Sequence, residues 1–256
     1  VYNNFVQKSI YEENSRHLLS TYEQVDKTFT MFVQHNWNAL SDWSNNLQYL
    51  DDAENMKTLW YDFARRKDAW QYQDFYMFNE NCDFITAAGR DGNAPNIQGI
   101  FLDMYETGQP VISSYIASDS NRRIVFALPM DVPYTINGIT YSGLAVSYNN
   151  DVVEKLIAGN IYQGQSDCYI LTSDGNVLLS LEPKTEFLQH ISNLFDFLNN
   201  YTDMTETEIT DLKKNIKNVS TGSLQCRYNN KNYYLVYEPT GINDWTIVGI
   251  IHNDVV

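Results

Sequence analysis

From Leu18 to Leu50 the apolar residues fall at intervals of mostly three and four: Leu18, Leu19, Tyr22, Val25, Phe29, Phe32, Val33, Trp37, Leu40, Trp43, Leu47 and Leu50. That spacing gathers them into one stripe along a helix, and no proline breaks it. Tyr2, Phe5 and Ile10 carry the helix back toward the first residue. So long a helix exceeds the usual run in a globular domain, so it is expected to lie along more than one module or to continue beyond the sequence. A second helix carries Met56, Leu59, Trp60 and Phe63, ahead of the charged run Arg65-Arg66-Lys67-Asp68.

Beyond that run the pattern turns to strands. DFYMFNENCDFITAAG reads as strand, tight Asn/Glu turn, strand. IFLDMYET is a short helix ended by Gly108, and PVISSYIA is a strand followed by the turn SDSNRR. RIVFALPM is a strand, a Pro- and Gly-containing loop is expected after it, and ITYSGLAVSY is the next strand. In NNDVVEKLI, Asn150 or Asp151 caps a helix that should turn Val152, Val153 and Leu156 inward.

The same order then recurs. CYILTSDGNVLLSL is a hairpin around Asp174-Gly175, ISNLFDFLNNY is a helix, and Thr205 with Glu208 forms a capping box for the next one. SLQCRY, NYYLVYEP and DWTIVGII supply three more strands, and the chain reaches NDVV at 253–256 as it did at 150–153. Two copies of one α/β unit are therefore expected. The fold class is α+β, a long N-terminal helix with two tandem antiparallel-sheet modules, divided as residues 1–72 (helices), 73–158 and 159–256. Val1 falls inside a helix and Val256 at the start of one, as in a loop between membrane spans; a piece of a soluble multidomain protein is the plainer alternative.

Composition limits the function. The net charge of -15, without any Lys/Arg-rich stripe, repels nucleic acid and anionic membrane surfaces. No run approaches the roughly 20 apolar residues of a membrane helix. Three cysteines, Cys82, Cys168 and Cys226, do not make a disulfide framework, and buried free thiols are expected; a Cys168–Cys226 bridge would need their strands to be neighbours. His17, His35, His190 and His252 are scattered without metal-ligand spacing. Phosphate-loop, dinucleotide, zinc-protease and nucleophile-elbow motifs do not occur. No catalytic residue, metal or cofactor is assigned, and an enzyme is not expected.

The ordered set of a long first helix, DFYMFNENCDFITAAG, RIVFALPM…YSGLAVSYNNDVV and CYILTSDGNVL…NYYLVYEPTGINDWTIVGIIHNDVV resembles the double Cache (tandem PDC, PAS-like) extracytoplasmic sensor domains of bacterial transmembrane receptors. The resemblance covers nearly the whole chain. It implies two PAS-like modules, a small ligand in the membrane-distal one, coupling to the membrane through the proximal one, and an output domain such as a histidine kinase, a diguanylate cyclase or a chemotaxis signalling rod. Amino-acid-binding members carry Arg-x-Trp-Tyr on the pocket helix and an Asp near the end of the module's last strand. Here Ile100 to Glu106 stand at the helix and Ser147-Tyr148 at the strand, so that clamp is missing in recognisable form.

A cavity over a curved sheet needs aromatic walls and a few polar anchors. The distal module offers Trp60, Arg65 or Arg66, Tyr76, Tyr115, Arg123, Asp131 and Tyr134. An arginine can hold a carboxylate bidentately, and a carboxylate can hold an ammonium group. Each residue also has a plain alternative: Tyr76 and Trp60 as core, Arg122 and Arg123 covering a turn, Asp131 as a turn residue. Tyr233, Tyr234, Tyr237 and Trp245 read as core of the second module. The expected partners are a small-molecule ligand and a second copy of the chain paired through the long helix. The membrane is met only through flanking helices. The competing reading is a ligand-free ectodomain that serves dimerisation alone.

Overall fold

The computed structural model describes residues 2–49, 53–157, 161–181 and 191–256. The first helix, α1, runs Tyr2–Leu47. Leu18, Tyr22, Val25, Phe29, Val33, Leu40, Trp43 and Leu47 of the expected stripe are buried, and Leu50 lies outside the described residues. Each such side chain contributes about 1.5–3 kcal/mol by leaving water. The chain forms two compact units. One comprises residues 1–31 with 153–256, the other 32–152. The helix is thus divided between the units rather than standing as a separate part.

In the unit of residues 32–152, helix α2 spans Ala53–Trp70 and so runs on through the charged Arg65–Asp68 segment. Gln71 ends it with φ 58°. The sheet comprises β1 (Asp74–Phe78), β2 (Asp83–Thr86), β3 (Asp91–Asn93), β4 (Val111–Ile116), β5 (Arg122–Ile136) and β6 (Ile139–Asn149), in the order β3-β2-β1-β6-β5-β4. Every pairing is antiparallel. One face receives α1: Phe32 meets Phe126 and Tyr148 edge-on, and the Tyr148 hydroxyl donates to Asn36 Oδ1 at 2.8 Å. The other face carries α3 (Gln98–Thr107), whose Phe101 stacks on Phe78 at 3.8 Å between centroids. Gly108, at φ 66°, closes α3 by donating its N–H to the Met104 carbonyl.

The expected loop after Met130 is strand. β5 continues to Ile136, and its pairing with β6 shifts between Pro129 and Tyr134. Pro129 and Pro133 lack the N–H that a regular ladder needs, so the strand bulges there instead of ending. The reversal comes later, at Asn137-Gly138, both at positive φ.

The other unit holds β7 (Ser166–Leu171), β8 (Val177–Leu181), β9 (Gly222–Tyr228), β10 (Lys231–Pro239) and β11 (Thr246–His252), ordered β8-β7-β11-β10-β9. This repeats β2-β1-β6-β5-β4 strand for strand: a hairpin on one side, the last strand in the middle, then the two before it. The duplication inferred from element order is therefore a duplication of topology. Helices α5 (Leu194–Tyr201) and α6 (Glu206–Lys217) cover one face with Leu194, Phe195, Leu198, Ile209, Leu212 and Ile216. The capping box is present: Thr205 N–H donates to Glu208 at 2.7 Å, and Glu208 N–H donates to the Thr205 hydroxyl. The α1 residues of this unit reach the opposite face, where Phe29 stacks on Trp245 and Tyr11 on Tyr234. The ring of Tyr22 lies on Gly249, in space that any Cβ there would claim.

The two NDVV segments differ. The first opens a helix, Asn150–Ile157 (α4), which buries Val153 and Ile157 one turn apart and leaves Leu156 exposed, contrary to expectation. The second forms a short 3-10 turn, Asn253–Val255, and its cap is the His252 ring accepting from Asp254 N–H, not an Asn or Asp side chain. All three cysteines are free and buried. Cys168 on β7 and Cys226 on β9 are separated by β11 and β10. Three strand spacings are about 14 Å, well beyond the ~7 Å limit for a disulfide.

Candidate functional site

The face of the β1–β6 sheet that carries α3 is hollow at one end. Tyr76, Phe78, Val125, Ala127 and Ala145 pack there with Ile97, Phe101 and Met104. Side chains alternate along strands. Asp74 therefore shares this face with Tyr76, and Arg123 shares it with Val125. Ser147 follows, because it pairs with both Asp74 and Val125. Beyond the packed part a cavity of about 320 Å³ opens, lined by Asp74, Tyr76, Tyr115 and Arg123 on the sheet and by Phe84, Thr86, Arg90, Asn93, Ala94 and Ile97 on its overhanging side.

The overhang is built by short polar contacts. Asn79 Oδ1 accepts from the N–H groups of Asn81 and Asp83, which closes the β1–β2 turn. Asn93 Nδ2 donates to Asp83 Oδ1 at 2.9 Å and ties β3 back. Asn93 Nδ2 and Asn79 Nδ2, the latter at 3.1 Å, both donate to the Asp83 carboxyl and hold it below its usual range. Thr86 Oγ1 accepts from Arg90 N–H, and Thr86 N–H donates to the Arg90 carbonyl, so this turn delivers Arg90 to the cavity.

Charges in the site are already paired. Arg123 donates from Nη2 to Asp119 at 2.8 Å, from Nη1 to Asp74 at 3.4 Å and from Nε to Asn149 at 3.2 Å. Asp74 also meets Arg90 at 3.6 Å. The Arg123 side chain is 13% exposed, whereas that of Arg90 is 66% exposed and its guanidinium lies 5.9 Å from the Phe84 ring centre. Arg123 is thus a buried hub, and Arg90 a cation at the mouth.

Two hydroxyls on this face of the sheet are left without partners: Tyr76 in the cavity wall, and Ser147, which is not among the lining residues, on the neighbouring strand β6. Tyr76 Oη and Ser147 Oγ are both shielded from solvent and make no hydrogen bond. Burial pushes the Tyr76 phenol well above its ordinary value, Tyr115 and Asp74 push it the same way, and Arg123 opposes them. The phenol stays protonated and can both donate and accept. A buried polar group without a partner costs about 1–3 kcal/mol. Such groups are rare in a folded core, and a polar ligand that reaches them removes the cost.

Of the residues singled out from the sequence, Tyr76, Tyr115 and Arg123 come together here. The others do not join them. Tyr134 lines a different cavity with Lys57 and Tyr61. Asp131 is exposed on the bulge of β5 and borders a cleft with Trp37 and Asn38. Arg65 is exposed on α2, 5.9 Å from the Tyr61 ring centre. Trp60 lies on α2, but its side chain is outside the described residues. Arg66 sits over Trp43, and Arg122 donates to Ser114, so neither enters the cavity. Asp74, Phe84, Thr86, Arg90 and Asn93 were not anticipated. Asp74 was the findable one, since it precedes Tyr76 by two on the same strand. It stands opposite Ser147, near the end of the module's last strand. A carboxylate thus reaches that end of the sheet from the neighbouring strand.

Among the described residues no three His, Cys, Asp or Glu side chains come together to hold a metal ion. His17 meets the Tyr162 hydroxyl at 3.1 Å, and His35 packs against Trp70.

No family model and no curated protein matches the sequence. Solved structures do match. The ligand-binding domain of the Pseudomonas aeruginosa chemoreceptor PctB, in complex with L-Arg, aligns with TM-score 0.67 at 14% identity, over 95% of this chain and 97% of that one. The sensory domain of the Campylobacter jejuni chemoreceptor Tlp3 with isoleucine bound aligns with TM-score 0.62 at 10% identity, over 98% and 97%. The chain shares the fold of these two sensory domains. The extracellular domain of the putative histidine kinase mmHK1S-Z3 shares it too, with TM-score 0.63 at 12% identity over 93% and 95%. The sensory-domain fold therefore spans this chain almost end to end, while identities this low leave the binding residues to be argued from the cavity itself.

Proposed function

We propose that this chain is the extracytoplasmic sensing domain of a bacterial membrane receptor, and that it binds a small polar solute in the cavity between β1, β4, β5 and the β2–β3 overhang. The observation that carries the reading is the unpartnered Tyr76 Oη in the wall of a charged but internally balanced hollow, with a second unpartnered hydroxyl, Ser147 Oγ, on the same face of the sheet. Tyr115 and Phe84 offer aromatic walls for the solute's body. The solute's polar atoms meet the Tyr76 hydroxyl, an anionic group is favoured beside Arg90 at the mouth, and a cationic group reaches Asp74 by displacing Arg90 from its 3.6 Å contact. A zwitterion satisfies both. The Arg123 donors are occupied by Asp74, Asp119 and Asn149, so Arg123 orients the site rather than gripping the ligand. Neighbouring structures with isoleucine, L-Arg and GABA bound make amino compounds the first class to try.

Binding would favour one packing of the overhang over another, by no more than the ligand's difference in affinity for the two. In this reading the shift passes to a cytoplasmic output, a histidine kinase or a diguanylate cyclase. Two copies would pair along α1, which leaves Phe5, Ile10 and Met31 exposed; sedimentation over a range of concentrations reads that pairing directly. The test of sensing is a thermal-shift screen of amino acids, amines and other small metabolites, followed by calorimetry on each hit. A ligand that raises Tm in the wild type but loses affinity in Tyr76→Phe supports the reading. A domain indifferent to the whole screen is the ligand-free dimerisation module instead.

A further inference from the structure

A second cavity lies in the same unit, on the other side of β2. It measures about 480 Å³, larger than the first and within the roughly 300–1,000 Å³ of small-molecule sites. Its described walls are Tyr61 and Ala64 of α2, Ile85 through Gly89 at the end of β2, and Tyr134 through Asn137 at the tip of the β5–β6 hairpin. The chemistry differs from that of the sensing cavity. No carboxylate is present among its described lining residues, and the one charged side chain among them is Lys57. Asp74, Arg90 and Arg123 all belong to the other cavity.

We infer that this cavity is a second ligand site, and that its occupant is a small amphipathic anion: an apolar body held between Tyr61, Ile85 and Tyr134, with a carboxylate at Lys57. The apolar walls exclude a sugar or another polyhydroxylated solute, which would lose hydrogen bonds to water without replacement. The ammonium group selects an anion over a cation of the same shape. The site is built from three elements rather than one face, and it shares a single lining residue, Thr86, with the sensing cavity. Thr86 holds Arg90 through two hydrogen bonds, so an occupant here touches the turn that presents Arg90 to the other ligand.

The probe is octanoate, titrated by calorimetry into the intact domain, with octylamine as the charge-reversed control. Octanoate should bind more tightly than octylamine. Lys57→Gln should weaken octanoate by roughly two- to fivefold, the scale of an exposed ion pair. Ala64→Trp, which fills the cavity from an exposed helix position, should weaken it by about tenfold or more. Tyr76→Phe, on the floor of the other cavity, should leave octanoate affinity unchanged. The inference is overturned if octanoate does not bind, if octylamine binds equally well, if neither Lys57→Gln nor Ala64→Trp weakens binding, or if Tyr76→Phe does. Should Ala64→Trp unfold the domain, Lys57→Gln and the octylamine comparison still decide the question.

Discussion

Replacing Tyr76 by phenylalanine should move stability and binding in opposite directions. The ring stays, so packing with Phe78, Phe84 and Phe101 is retained. Only the hydroxyl is lost, and in the empty domain that hydroxyl is buried with no partner. Removing it relieves a penalty of about 1–3 kcal/mol. Taking the low end, about 1 kcal/mol, a chain of this length gains roughly 2–4 °C in Tm. With ligand bound, the same hydroxyl makes a hydrogen bond whose net worth is about 0.5–1.5 kcal/mol, so affinity falls by roughly two- to twelvefold. Differential scanning calorimetry of the empty domain and titration calorimetry with a hit from the screen read both quantities. A variant that is less stable when empty would show that the hydroxyl already has a partner, and the claim that it waits for a ligand would fail.

Ser147→Ala should also raise the Tm of the empty domain, with a smaller gain because the removed group leaves a small void. Gly249→Ala should destabilise the unit of residues 1–31 and 153–256 by about 1–3 kcal/mol or more, since the added methyl overlaps the Tyr22 ring; urea unfolding followed by Trp245 fluorescence measures it, and a neutral result would mean Tyr22 does not lie there. Burial, followed by repulsion from Glu238, pushes the Asp26 carboxyl from 3.8 to about 6. A raised carboxyl favours folding while protonated, so this stabilisation is full below about pH 4 and is lost as pH rises through about 6. Asp26→Asn should therefore stabilise the protein near pH 7.5, by about 1 kcal/mol once solvent screening is allowed for, and the gain should fade toward pH 4. The thiols of Cys168 and Cys226 are both buried and pushed up by burial, the latter to about 12. Thiol reagents should reach them only on unfolding, and a reductant should leave Tm unchanged; a reductant-sensitive Tm would place a disulfide where the sheet order forbids one.

Elements with a strong local signature were legible in the sequence. The α1 stripe, the Asp174-Gly175 hairpin, the Thr205 capping box and the Gly108 stop each rest on contacts within a few residues, and each stands where the pattern put it. The loop assigned after Met130 failed because two prolines, Pro129 and Pro133, signal a break, whereas the structure absorbs them in a bulge that pairing with β6 sustains. That pairing is a tight hairpin closed by Asn137-Gly138, whose turn signal lies beyond the two prolines and was outweighed by them. The candidate site shows the same divide. Tyr76, Tyr115 and Arg123 sit on strands whose facing follows from alternation once the sheet is known. Asp131 and Tyr134 fall in the segment the sequence reads as a loop, and as residues of β5 at and beyond the bulge they stay apart from the other three. Arg90 reaches the cavity through the Thr86 turn, a contact with no sequence signature of its own.

The most direct measurement is a crystal structure of the domain with the best ligand from the metabolite screen. The account predicts one ordered molecule in the hollow between β1, β4, β5 and the β2–β3 overhang, with a polar atom within about 3.2 Å of Tyr76 Oη and with the contacts of Arg123 to Asp119 and Asn149 intact. A ligand bound elsewhere on the domain while that hollow stays empty, or one that leaves the Tyr76 hydroxyl unpartnered, would contradict it.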